Sequence, residues 1–247
     1  MKRPLRLFVV LALIGCGNEE PTDPPETLDL ADIVGGGDGT GTGGDRGIDV
    51  ITGQTTTQHE GAIACPVNTF VPAANPLVNG VFCPDGAMDE SDSIEVSTEG
   101  TLIAGVPDWR PNLFNESAWD HIWNGTNTDV TTKATGPQLG MHANKGITFD
   151  LGAIRVTLGD RKITAFAARA AMGERSAGPA NLVSFQVFVD GLLAYEQRDV
   201  YEADSAFDVN VALADDARFL TLVTAATGDI QGDWSYWDAP RLVLEAK

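Results

Sequence analysis

Three of the eight tryptophan and tyrosine residues of this 247-residue chain fall within four positions. They are Trp234, Tyr236 and Trp237, in the stretch GDWSYWDAPRL, bracketed by Asp233 and Asp238. A second pair, Trp119 and Trp123 in WDHIWNGTN, is spaced to share one face of a helical turn. Aromatic faces give apolar contact to a ring-shaped ligand, and Asp, Asn, His or Arg then hydrogen-bond its polar substituents. Sugar rings, with apolar faces and hydroxyl edges, suit that chemistry. Trp119, Trp123, Trp234 and Tyr236 are therefore candidate stacking residues for carbohydrate, with His142 and Asp233 as polar partners. The competing reading is that large aromatics in a β protein fill its core.

Nothing else in the chain reads as a catalytic constellation. G-x-S-x-G, H-E-x-x-H and a phosphate-binding loop are absent. His59, His121 and His142 are scattered. Asp120 precedes His121, but neighbours on a strand point to opposite faces, so adjacency makes no dyad. A glycosidase pair could hide among the many acidic residues, yet nothing singles one out. The expectation is a binding protein and not an enzyme, with a protein–protein or scaffold module as the alternative and a cryptic hydrolase as a third. No cofactor is required. A structural calcium on loop carboxylates such as Asp229, Asp233 and Asp238 is an open expectation, without a fixed ligand set.

The elements that must position these residues show period two. Ile147, Phe149 and Leu151 alternate in GITFDL, and Val183, Phe185, Val187 and Val189 alternate in LVSFQVFVDG. Asp190-Gly191 then predicts a tight hairpin turn. FDVNVAL, RFLTLVT and RLVL read as further strands, and ITAFAARAAM fits a strand better than a helix beside such neighbours. Short alternating strands divided by Gly, Asp, Asn and Pro predict an all-β chain, an antiparallel β-sandwich or jelly roll.

The N-terminus speaks to compartment. Lys2, Arg3 and Arg6 precede LFVVLALIG, a run too short for a membrane span but shaped like a secretory signal. It ends at Leu13-Ile14-Gly15-Cys16, which looks like a bacterial lipobox, so residues 1–15 read as a signal peptide and Cys16 as the lipidation site. Gly17 in place of Asp favours the outer membrane or cell surface. Residues 16–60 carry ten acidic residues and one basic residue, with PTDPP and GGGDGTGTGGDRG, and predict a disordered tether spanning about 35 Å. The globular domain is then expected over 61–247. In an exported protein Cys65 and Cys83 predict a disulfide, stabilising by about 3 kcal/mol. The net charge of −19 repels nucleic acid and anionic lipid, leaving the lipid anchor as the membrane contact.

Four blocks then carry a family resemblance. They are LGMHANKGITFDLGAIR (139–155), VSFQVFVDGLLAYE (183–196), ALADDARFLTLVTAATGD (212–229) and DWSYWDAPRLVL (233–244). In this order and spacing they resemble the NPCBM/NEW2 domain, a carbohydrate-binding module appended to many bacterial glycosidases, over about 119–244. The resemblance implies a sandwich of the galactose-binding-like group. Gly140, His142, Ala143, Phe149, Asp150 and Leu151 match the family's first turn and strand, and Val187, Asp190 and Gly191 its hairpin. Asp233, Trp237, Asp238, Ala239 and Leu242 match its closing pattern, with Ala239 displaced by one place. By that match Trp237 plugs the core, while Trp234 and Tyr236 lie in the preceding loop and are the exposed candidates. Simple alternation then puts Trp237, Ala239, Arg241 and Val243 on one face and Asp238, Leu242 and Leu244 on the other. The segment 71–91 has no counterpart in the family pattern and is expected to add strands or form a cap. No catalytic domain accompanies the module, so the expectation is a lipid-tethered, surface-exposed lectin.

Overall fold

The computed structural model describes residues 26–57, 62–63, 65–86, 88–89, 91–107, 118–119, 122–124, 136–173, 182–201, 204–227 and 233–247. The strands run β1 (Thr27–Asp29), β2 (Gly47–Ile48), β3 (Thr55–Thr56), β4 (Ala62–Ile63), β5 (Val71–Pro72) and β6 (Val78–Phe82). They continue as β7 (Ile94–Glu95), β8 (Leu102–Ile103), β9 (Ala118–Trp119), β10 (Ile122–Asn124), β11 (Gln138–Gly140) and β12 (Lys145–Asp150). The last six are β13 (Arg161–Met172), β14 (Val183–Val189), β15 (Leu192–Val200), β16 (Phe207–Ala212), β17 (Phe219–Ala226) and β18 (Ser235–Ala246). Two short helices interrupt them, α1 (Leu30–Val34) and α2 (Leu151–Thr157).

The strands form two large antiparallel sheets, and the all-β antiparallel sandwich expected from the sequence is the observed fold. One sheet follows β16-β13-β18-β11-β10-β2-β3, with β1 also on β18; the other follows β15-β14-β17-β12-β6-β5. Between them lies the main core, where Trp237 meets Phe166 and Phe185 edge-on at centroid distances of 5.9 and 5.2 Å. Segment 71–91 contributes β5 and β6 to the second sheet. That sheet is also covered on its outer face, where Ile94, Val96, Ile103 and Val106 bury Phe82, Phe188 and Val223. Burial on both faces explains why every residue of the central strand β17 is buried, with no alternation of exposed positions. Asp190 and Gly191 both have positive φ (50° and 82°) and form the expected two-residue hairpin turn. Leu151 is not on the strand with Ile147 and Phe149. It opens α2, which Asp150 caps by accepting the Ala153 amide at 2.8 Å.

The tether expected over residues 16–60 is corrected by the structure for 26–57. β1 pairs with β18, and Leu28, Leu30, Ile33, Val34, Ile48 and Val50 are buried in the main core. Each such side chain stabilises by about 1.5–3 kcal/mol. The glycine run is ordered by Asp32, whose carboxylate accepts the Gly39 amide at 2.7 Å and the Gly43 amide at 2.6 Å. A Cβ on Gly37 would stand 2.3 Å from Asp32 Oδ2 and 2.5 Å from the Gly43 nitrogen, so the loop needs glycine there to close around the carboxylate. Composition averages hid an anchored loop inside an acidic, glycine-rich stretch.

The Cys65–Cys83 disulfide is present, with Cα atoms 6.2 Å apart. Cys16 lies outside the described residues.

Candidate carbohydrate-binding site

The turn 141–144, joining β11 of one sheet to β12 of the other, is held on several sides. The Met141 amide donates to Ser235 O at 2.9 Å, and the Ala143 amide to Asp233 O at 3.1 Å. The Ser235 hydroxyl donates to Met141 O, and Thr224 Oγ1 to the same carbonyl at 3.2 Å. Asn144, in the left-handed region at φ 62°, accepts the Ala226 amide at 2.9 Å. Buried Lys145 reaches His142 O at 3.5 Å. A turn fixed to both sheets gives its side chains one orientation.

That orientation sets His142 edge-on to Trp234, with ring centroids 5.2 Å apart and planes at 84°. His142 is buried and stays neutral: loss of water, reinforced by the Lys145 charge, holds its pKa well below 6.5. Trp234 precedes β18 and is half-buried, so part of the residue faces solvent while its ring makes a T-shaped contact with a fixed imidazole. This is the arrangement a stacking platform needs: a partly accessible ring whose position is already fixed by folding.

The structure therefore brings together His142, Asp233, Trp234 and Tyr236, but with roles different from those expected. Tyr236 is not in a loop; it lies in β18, opposite Gly140 and Ala171, and only 2% of it is exposed. Asp233 is likewise buried, its carbonyl holding Ala143. His142 supports Trp234 from below. Of the four, Trp234 presents surface to a ligand. Trp123 sits in register with Gly140, one strand from Tyr236, whereas Trp119 pairs with Ala62 in a separate two-stranded sheet. The side chains of Trp119 and Trp123 lie outside the described residues, as do His59 and His121.

Simple alternation fails in β18 as well. Ala239 has φ 48°, and the β13 register shifts opposite it. This irregularity switches faces, so that Trp237, Leu242 and Leu244 all reach the main core. Of the carboxylates named for a calcium, Asp233 and Asp238 are described. Asp238 is buried, with Oδ1 accepting the Gly136 amide at 2.9 Å and Oδ2 facing Arg169 Nη1 at 3.4 Å. Asp229 lies outside the described residues, among which no group of three metal-ligating side chains occurs. Asn144, Thr224 and Ser235, which lock the turn, escaped the sequence reading because their partners lie 82 to 94 residues away in the chain.

Among solved structures, the chain is similar to the CBM51 module of Clostridium perfringens GH95 in complex with methyl-galactose. Identity is 19% and TM-score 0.38, over 46% of this chain and 78% of that one. Similar too are the tandem CBM51 modules of a family 98 glycoside hydrolase from Streptococcus pneumoniae (19%, TM-score 0.38, 43% of this chain). This chain spans 32% of the length of that structure. The CBM51-2 and INT domains of Clostridium perfringens ZmpB, in complex with GlcNAc, are 15% identical (TM-score 0.38, 67% of this chain, 29% of that one). At these scores the likenesses carry no functional argument. No curated protein matches the chain. A family model, the NPCBM/NEW2 domain, matches residues 109–243, more than half of the sequence and the whole of the turn that carries His142 together with Trp234. The chain belongs to the NPCBM/NEW2 domain family.

Proposed function

We propose that this protein is a non-catalytic carbohydrate-binding protein, anchored through lipid on Cys16 at the cell surface, outer membrane included. Membership of a carbohydrate-binding module family supports the binding role. The observation that carries the site is the half-exposed Trp234 braced by buried His142. Trp234 would stack on the apolar face of a sugar ring, and polar groups at the same end of the sandwich would take its hydroxyls. Neutral monosaccharides are the first ligands to test. A chain of net charge −19 fits neutral glycans better than anionic ones.

An array of plant, algal and animal glycans tests the reading. Binding to at least one neutral glycan, competed by its free monosaccharide, is expected. Absence of binding across the array would contradict it. Lipidation is tested separately by membrane partitioning in the native host: the wild type should partition with membranes and Cys16→Ser should not.

A further inference from the structure

The hairpin end of the second sheet, far from Trp234, carries a surface that the glycan reading does not use. Leu102, Leu192 and Leu193 are 53%, 76% and 47% exposed and line one groove of about 350 Å³ with Ser93, Ala104 and Gly191. The groove exists because β8 runs close over the β14–β15 turn: a Cβ on Gly191 would lie 2.4 Å from Leu102 O. It opens beside β15, the last strand of its sheet and largely exposed from Leu192 to Asp199. Val189 and Leu192 flank the two-residue turn and so form its closed, mutually hydrogen-bonded pair. Leu193, next along, therefore turns its backbone N–H and C=O away from β14 to the open edge.

The charge around this groove that is not held in an ion pair has one sign among the described residues. Glu95 sits directly across from Leu102 in the β7–β8 pair, so the two side chains share a face. Asp92 adjoins Ser93, and Asp190 adjoins Gly191. All three are exposed, and among the described residues none has a basic partner. The nearby cations are already engaged: Arg218 with Glu99 at 2.5 Å and Arg198 with Glu196 at 2.7 Å. Such a rim opposes a second copy of this acidic chain and an anionic membrane, and favours a cationic occupant.

We infer that the groove at Leu102, Leu192 and Leu193, with the open edge of β15, docks an extended protein segment of alternating apolar and basic residues by strand addition. Main-chain hydrogen bonds at Leu193 and beyond would supply the pairing, the groove would take an apolar side chain, and Glu95, Asp92 and Asp190 would select the basic flanks. β15 is bulged at Ala194, where Phe188 faces Leu193 and Val187 faces Tyr195, and the irregularity at Asp199, with φ 55°, ends the strand available for pairing.

A short acetylated peptide of alternating valine and lysine serves as the probe, with its valine–glutamate counterpart as control. Saturable binding of the lysine peptide is expected, weakened about tenfold or more by Leu193→Lys or Glu95→Lys and absent for the glutamate peptide. Amide hydrogen exchange should slow at 192–198 in the complex. Both substitutions are at exposed positions and should leave glycan binding at the Trp234 end unchanged, which separates this surface from the carbohydrate site. No saturable binding below about 1 mM, equal binding by the variants, or protection elsewhere than β15 would overturn the inference. Concentration-dependent dimerisation abolished by Leu193→Lys would assign the edge to a second copy and overturn it as well.

Discussion

At the scale of single residues, the aromatic cluster divides by burial. Trp237 is packed between Phe166 and Phe185 in the main core, and its truncation leaves a cavity no neighbour can fill. Trp237→Ala should cost about 3–5 kcal/mol in denaturant unfolding. A loss below about 1 kcal/mol would show that the core collapses around the gap. His142 gives a pH signature. Its folded pKa is held well below the ordinary 6.5, so the unfolded chain takes up a proton first as pH falls. The stability from keeping the ring neutral is complete above about pH 7. It declines as pH drops below 6.5 toward the depressed folded value, with a slope of at most about 1.4 kcal/mol per pH unit. Unfolding midpoints should fall between pH 7.5 and 5.5 in the wild type and fall less in His142→Gln. Identical pH profiles would mean that the imidazole is not the group being titrated.

At the scale of elements, the glycine-rich loop and the last strand carry the lesson. The loop 35–45 closes on one carboxylate, and Asp32→Ala would leave the Gly39 and Gly43 amides without their acceptor. A loss of about 2–3 kcal/mol and faster amide exchange across 35–45 are expected; unchanged exchange would mean the loop is held by something else. Strand identity was legible where one face alternated, as in β14 and β16, and from runs of strand-forming residues in β13 and β17, and Asp190-Gly191 marked its own turn. What escaped was set by contacts distant in sequence. Asp32 lies in a stretch whose average composition is that of a disordered chain, and its acceptor role depends on glycines up to eleven residues away. Tyr236 and Trp237 are both buried although they face opposite sides of β18, so no alternation exists to be read. One residue with positive φ, Ala239, then reverses the pattern for the rest of the strand.

At the scale of the whole molecule, β18 links two functional ends. Trp234 precedes its first residue, whereas Glu26 O accepts the Leu244 amide near its last. Tyr236 and Leu244 are eight residues apart on a strand, about 26 Å. Glu26, the first described residue, lies at the end opposite Trp234, and the ten residue steps from Cys16 to Glu26 span at most about 35 Å. With lipid on Cys16, the carbohydrate site would point away from the membrane, and the chain between anchor and fold would be much shorter than one running to residue 60. Vesicle-anchored protein should then bind soluble glycan as tightly as Cys16→Ser protein in solution; a marked loss on anchoring would place the site toward the membrane. Truncation to residue 58 should abolish folding, because it removes Leu28, Leu30, Ile33, Val34, Ile48 and Val50 from the core. The central claim is tested most directly by titrating one glycan into wild type and Trp234→Ala while monitoring the fold by thermal unfolding. The account predicts that Trp234→Ala loses about tenfold or more in affinity with its melting temperature nearly unchanged; undiminished affinity in a folded variant would contradict it.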